Sequence, residues 1–307
     1  MKILVVTSYN TGHITPFVAE QVESLRKRSI DIDYYKIIGK GALGYLKNYR
    51  KLKAKIEANN YDLVHAHYGL SGLLANMQRK IPVITTYHGS DIHCKRNRLL
   101  SFLCSRLSVF NILTNKDQID LLKLNNNYSV IPCGINCELF RPLPKAECRK
   151  KMGYQENDKL ILFSSSFDRK IKNYPLAKKA IELVLVSDNV QLIELKGYTK
   201  EEVSLLVNAS ELVLITSFNE TGPLIAKEAL ACNTPVVSTD VGDVKELIQD
   251  LDRCYITTYE PDDVARKIEW VLKSNKKCAG RKRVEKCDLQ NVAKQINGVY
   301  QKYIKNH

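Results

Sequence analysis

The sequence predicts two consecutive α/β domains, each a parallel sheet with helices on both faces. Three observations carry this. Short apolar runs alternate with amphipathic stretches along the whole chain, the order that builds strand–helix–strand units. The alternation breaks at RPLPKAE, residues 141–147, where Pro142 and Pro144 read as a linker, and then restarts. A length of 307 residues accommodates two domains of about 150 each.

In the first domain, residues 3–6 are an uninterrupted apolar run, as a strand buried on both faces requires. Pro16 opens a helix to residue 28, with Phe17, Val18, Val22 and Leu25 apolar. Residues 30–35 form a second strand. Residues 42–56 are expected as one helix, with Ala42, Leu46, Tyr49, Leu52 and Ile56 on one stripe. Strands at 63–65 and 83–86 flank a small-residue helix at 69–78, and strands at 109–114 and 129–131 follow. The second domain repeats the pattern. Strands are expected at 160–164, 190–194, 212–216, 236–238 and 254–256, and helices at 175–184, 200–206 and 223–231. A last helix at 291–304 carries Val292, Ile296, Val299, Tyr300 and Tyr303 along one side. The expected division is 1–141, 142–288 and a tail, 289–307. Parallel α/β sheets place ligands at the carboxyl ends of their strands, so the expected site is a cleft between the two domains.

The hydrophobic fraction of 44% and charged fraction of 26% are those of a water-soluble globular protein. The N-terminal apolar run is too short for a signal-peptide core, and no stretch approaches the roughly 18 apolar residues of a membrane span. A cytoplasmic location is therefore expected. The nine cysteines are scattered without zinc spacing and read as free thiols. Residues 1–142 hold 20 Lys and Arg against 10 Asp and Glu, so most of the net +14 sits in the first domain. Such a surplus suggests an anionic partner: a membrane face, a nucleic acid or a phosphorylated substrate. Residues 36–55 carry seven Lys or Arg and no acid, which fits an anionic membrane surface or a solvated basic helix face.

Residues 217–242, SFNETGPLIAKEALACNTPVVSTDVG, join a polar loop, an amphipathic helix and a strand. Glu220 lies before the helix and Glu228 inside it, so both can face one cleft. Gly222 and Pro223 mark the helix start, whose free N–H groups suit an anion. Two carboxylates that grip hydroxyls beside a phosphate-binding end are what a nucleotide sugar needs. Arg169 and Lys172, in the loop after residues 160–164, are cations placed to meet a phosphate, and Ser165 and its neighbours offer hydroxyls. His88 follows a strand end, beside Gly89, and is expected to touch a ligand. His65 and His67 alternate on another strand end. A metal site there lacks a third ligand, and a packed or substrate-edge role is favoured.

The segments HAHYGLSG, TYHGSDI, VIPCGIN with Phe140 and Pro142 behind it, KN-x-PLA and the two-glutamate loop stand in this order over essentially the whole chain. Together they resemble the retaining GT-B glycosyltransferases of family 4. The resemblance implies two Rossmann-like domains facing a cleft, with the last helix crossing back to the first domain. It implies that Glu220 lies near the donor sugar and Glu228 on the ribose hydroxyls. Lys172, and Arg169 less directly, would meet the diphosphate, and His88 the reacting sugar. Gly12 matches the glycine-rich loop near the phosphates. Ser165, Gly222 and Leu224 join the donor side, and His65, His67 and Asp91 the acceptor side.

There are departures. Ser166 and Phe167 stand where the family has Gly-Arg, Pro223 removes an amide from the loop, and Asn233 replaces a common Gly. The expectation is a hexosyltransferase using a nucleotide-diphosphate donor, UDP-sugar above others, without a required metal. A glycan or lipid-linked acceptor, cell-surface polysaccharide synthesis and a peripheral position on the inner membrane face complete it. The alternatives are a non-hydrolysing sugar-nucleotide epimerase and a basic nucleic-acid binder. The latter lacks aromatic-interleaved basic motifs, so no nucleic-acid partner is expected.

Overall fold

The computed structural model describes residues 1–185, 189–274, 276 and 278–304. The chain divides into two compact units, Met1–Gly134 with Leu289–His307, and Ile135–Asp288. The division falls at Gly134, earlier than residue 141. Ile135 already bridges to Asp288, and Phe140 is buried in the second unit's core. Of the expected tail, residues 305–307 lie outside the described residues.

The first unit is a six-stranded parallel sheet. Its strands are β1 (Lys2–Ser8), β2 (Asp31–Ile37), β3 (Leu63–His67), β4 (Val83–Tyr87), β5 (Phe110–Leu113) and β6 (Tyr128–Val130). They are ordered β2-β1-β3-β4-β5-β6. Alternate residues feed two cores. Ile3, Val5, Leu63 and Ile84 enter one, and Leu4, Val6, Val64 and Val83 the other. That is why these strands read as continuous apolar runs: neither face meets water. The last helix, Leu289–Ile304, belongs to this unit and packs along the helix Pro16–Arg26, burying Val292, Ala293, Ile296 and Tyr300.

The second unit is a five-stranded parallel sheet. It comprises β7 (Lys159–Phe163), β8 (Val190–Ile193), β9 (Leu212–Ile215), β10 (Val236–Thr239) and β11 (Tyr255–Thr257). The order is β11-β10-β9-β7-β8. Leu162, Val213 and Ile215 face one core, and Ile161, Phe163, Leu212 and Leu214 the other. In both sheets the first strand of the unit lies between the second and third. Strand order therefore reverses between β1 and β3, and between β7 and β9. Such switch points splay the loops apart at the carboxyl ends and open a crevice.

One expected element is corrected. Residues 42–56 are not a single helix but two, Gly41–Leu46 and Tyr49–Glu57. The break falls at Asn48, whose side-chain amide donates to the carbonyls of Gly44 (2.9 Å) and Ile38 (3.0 Å) and competes with the helical ladder. Only the second half of the stripe, Leu52 and Ile56, is buried, while Ala42 and Leu46 are exposed. The linker reading at 141–147 also shortens. Lys145 starts a helix to Met152 behind Pro144 at its N-cap.

Candidate active site

The second unit's switch point holds one of the constellations read from the sequence. In the second unit, β7 leads into residues 164–173, with Ser165, Arg169 and Lys172, and β9 leads into residues 216–223, with Glu220 and Gly222. The Thr216 hydroxyl donates to the carbonyls of Lys172 (2.9 Å) and Asn173 (3.0 Å), and the Phe218 amide donates to Ile171 (2.9 Å). These bonds tie the two loops together and bring Lys172 onto Glu220 in a hydrogen-bonded ion pair. The side chains are 8% and 16% exposed, so the pair is largely removed from water. The Ser217 hydroxyl donates to the same Glu220 oxygen at 2.8 Å. Arg169 stands apart from this pair, its guanidinium 3.4 Å from the Ser165 hydroxyl.

Glu228 lies in the second turn of the helix Leu224–Ala231, is almost fully buried, and accepts from Lys200 at 2.7 Å. Leu224 is the first helical residue, and Pro223 is the N-cap rather than the first helical position. Beneath Gly222 lies a further pair. Lys227, 1% exposed, meets Asp243 at 2.9 Å, while the other Asp243 oxygen, Oδ1, is buried without a hydrogen-bond partner. A side chain at Gly222 would sit 3.1 Å from that oxygen and 3.2 Å from the Lys227 ammonium, so the loop passes close over the pair.

In the first unit, three histidines gather at the carboxyl ends of β3 and β4. His65 shares hydrogen bonds with the Tyr300 hydroxyl (2.5 Å) and Thr86 (2.7 Å). His67 Nδ1 lies 2.9 Å from His88 Nε2, and His88 Nδ1 lies 3.7 Å from the Cys133 thiol. His88 stacks on His67 and touches the rings of Phe17 and Tyr68. Burial disfavours the charged imidazolium. It depresses His65 and His88 to about 3 and His67 well below its ordinary value, with the neighbouring histidines adding to the shift at His67 and His88. All three are therefore neutral at physiological pH. They are neutral hydrogen-bonding groups rather than cations. Among the described residues no group of three His, Cys, Asp or Glu could hold a metal ion. Both ring nitrogens of His65 are taken, whereas His67 Nε2 is buried without a hydrogen-bond partner.

Asp91 is buried. Its Oδ2 accepts from the Gly69 amide (2.9 Å), and its Oδ1 from Gly89 (3.0 Å) and His88 (3.2 Å). Burial raises its pKa, and those backbone donors oppose the rise. Gly69 is needed here because a β-carbon would overlap Ser101. Gly12 turns the loop after β1 at a φ of 79°, which favours glycine, and is exposed. Beside it opens a cavity of about 290 Å³, lined among others by Thr11, Thr15, Tyr45, Tyr68 and Asp91.

Sequence reasoning missed Lys200, Lys227, Asp243, Cys133 and Tyr300. Thr199 and Glu202 form a capping box, a readable signal that sets Lys200 in the first turn of its helix. Lys227 stands with Glu228 inside an otherwise apolar helix stretch, LIA-KE-ALA, which signals buried charges in need of partners.

The model for Glycosyltransferase Family 4 matches residues 14–139, and that for Glycosyl transferases group 1 matches residues 178–286. The chain is similar to the N-acetyl-alpha-D-glucosaminyl L-malate synthase of Bacillus anthracis, 24% identical over 67% of this chain and 64% of that protein. It is also similar to a D-inositol 3-phosphate glycosyltransferase of Mycobacterium marinum, 23% identical over 73% and 58% respectively. The chain thus spans about six tenths of the length of these relatives. Among solved structures, the sucrose-phosphate synthase of Thermosynechococcus elongatus shares the fold with a TM-score of 0.82 at 16% identity, over 100% of both chains. HepE of Anabaena, solved with UDP and glucose, shares it with a TM-score of 0.79 at 16% identity, over 98% of this chain and 100% of that one. The two matched models cover most of both units, each of which is a parallel sheet. The chain belongs to glycosyltransferase family 4 and has the GT-B fold.

Proposed function

We propose that the protein is a retaining glycosyltransferase. It moves a hexose-type sugar from a nucleotide-diphosphate donor, a UDP-sugar above others, to a glycan or lipid-linked acceptor in cell-surface polysaccharide synthesis. The observation that carries this is the Lys172–Glu220 pair at the β7/β9 switch point. Breaking the sugar–phosphate bond leaves charge on the diphosphate, and a fixed cation in a water-poor site stabilises that charge. In this reading the diphosphate takes Lys172 from Glu220, and the released carboxylate turns to the sugar hydroxyls. Arg169 adds positive potential, Glu228 with Lys200 holds the ribose, and neutral His88 faces the reacting sugar. Lys172 and Arg169 supply the charge a metal would otherwise supply, so no metal is required. The UDP and glucose held by HepE support the choice of donor. Ile38, Leu43 and Leu46, exposed within or beside the basic residues 36–55, support a peripheral position on an anionic cytoplasmic membrane face.

Thermal-shift titration with UDP-, GDP- and ADP-sugars identifies the donor, since a ligand bound by the native state raises the melting temperature. Lys172→Ala and Glu220→Ala should each lower donor turnover by about 10²–10³-fold, the scale for losing a transition-state contact. The proposal fails if both variants turn over near wild type. An epimer formed from the donor without acceptor would favour the epimerase instead.

A further inference from the structure

The cavity in the first unit has a chemistry that sets it apart from the surface around it. The first 142 residues carry a surplus of ten positive charges, yet among the described residues no Lys, Arg or His lines the cavity. Its polar lining is hydroxyl and amide: Ser8, Thr11, Thr15 and Asn97. Leu70 and Leu100 give it apolar faces, and Tyr45 and Tyr68 contribute rings. The charge in this lining is the Asp91 carboxylate.

Asp91 also decides what the neighbouring helix end can bind. The N-terminus of the helix Gly69–Asn76 would ordinarily offer amides to an anion. Here the Gly69 amide is already held by Asp91, as are those of His88 and Gly89. An incoming phosphate or carboxylate meets a like charge beside these occupied amides, with no cation in the described lining to offset it. Tyr68 adds an independent sign of a built site. It holds a φ of 73° and a ψ of 145°, a conformation costly for a bulky residue, and strain of this kind gathers at ligand sites. It lines the cavity together with Thr15. The volume of about 290 Å³ is near the lower limit of small-molecule sites, about 300 Å³. It suits one ring-sized group.

From this, the geometry points to an acceptor whose bound portion is a single uncharged, hydroxyl-rich ring, neither phosphorylated nor a uronic acid. The ring's hydroxyls meet Thr11, Thr15 and Asn97, and its C–H face lies on Leu70, Leu100 and Tyr45. The inference rests on the glycosyltransferase reading and narrows its acceptor.

The test uses the full chain and a matched probe set: methyl glucoside, methyl galactoside and methyl N-acetylglucosaminide against glucose 6-phosphate and glucuronate. Binding is followed by saturation-transfer NMR and calorimetry. At least one neutral probe should bind at least about tenfold tighter than the anionic ones. Asn97→Lys should narrow or reverse that preference by about tenfold, and Ser90→Lys on the exposed rim should act in the same direction if Asn97→Lys does not fold. Equal or tighter binding of the anionic probes overturns the inference. So does binding of no neutral probe, or a preference that folded lysine variants leave unchanged. Sugar-nucleotide binding in the same preparation reports separately. Donor binding together with an anionic preference removes only the acceptor assignment, whereas binding of no UDP-, GDP- or ADP-sugar removes the glycosyltransferase reading.

Discussion

Lys227 and Asp243 form a buried ion pair that touches the donor-side loop without belonging to the chemistry proposed for it. Removing one partner strands the other charge out of water. Lys227→Met should therefore destabilise the protein by about 3–5 kcal/mol in denaturant unfolding. Replacing both by apolar residues of similar volume should recover most of that loss, because the stranded charge is gone. Recovery of nothing in the double variant would refute the pairing. His65 makes a second residue-scale prediction. Its folded pKa of about 3 lies below the ordinary value near 6.5, so between these pH values the unfolded chain binds the extra proton. The stability from burying neutral His65 is complete above pH 6.5 and is lost as pH falls toward 3, by about 1.4 kcal/mol per pH unit. Wild type should show a steeper fall in unfolding midpoint than His65→Gln as pH drops from about 6.5 to about 4.5.

The last helix, Leu289–Ile304, is fastened to the first unit by apolar burial and by a directed bond between Tyr300 and His65. Tyr300→Phe removes the hydroxyl and leaves a buried imidazole nitrogen unsatisfied, at about 1–3 kcal/mol. Chemical denaturation should show that loss with donor affinity nearly unchanged. The existence and kind of most strands were legible because buried parallel strands must be apolar on both faces. The predicted runs at 63–65 and 212–216 sit on Leu63–His67 and Leu212–Ile215. The break at Asn48 was not, because a side-chain amide that competes for carbonyls leaves the apolar period intact. Neither the helix Lys95–Leu107, whose first turn is charged, nor Pro261–Lys273 was predicted, although the latter carries Val264, Ile268 and Val271 at helical spacing. At the site, Lys172 and Glu220 could be named from their two loops taken together and from the family resemblance. Their mutual pairing could not, nor could the partners Lys200, Asp243 and Tyr300, since these depend on which strand ends the topology makes neighbours.

For the molecule as a whole, charge is the most exposed property. The net +14, with the basic residues 36–55 and the exposed Ile38, Leu43 and Leu46, predicts adsorption to vesicles containing anionic lipid. Sedimentation with such vesicles should deplete the protein from solution. Raising salt from about 0.05 to 0.5 M should release much of it, since the Debye length falls below 10 Å in that range. Replacing Leu43 and Leu46 with serine should weaken binding at every salt concentration, because the apolar contact is not screened. Arg50→Glu combined with Lys51→Glu should instead remove the salt-sensitive part. Equal binding to neutral vesicles would set the membrane reading aside.

The first unit is discontinuous: its final helix follows the whole of the second unit in the chain. A ribosome adding about 5–20 residues per second needs roughly 10–30 s to cross the intervening stretch of about 150 residues. Throughout that interval the nascent first unit lacks Val292, Ile296 and Tyr300, and the apolar surface they cover is open. The second unit is contiguous and meets no such delay. The order of birth is thus the reverse of the order of completion: the half made first is finished last. Chaperone demand during synthesis should concentrate on it.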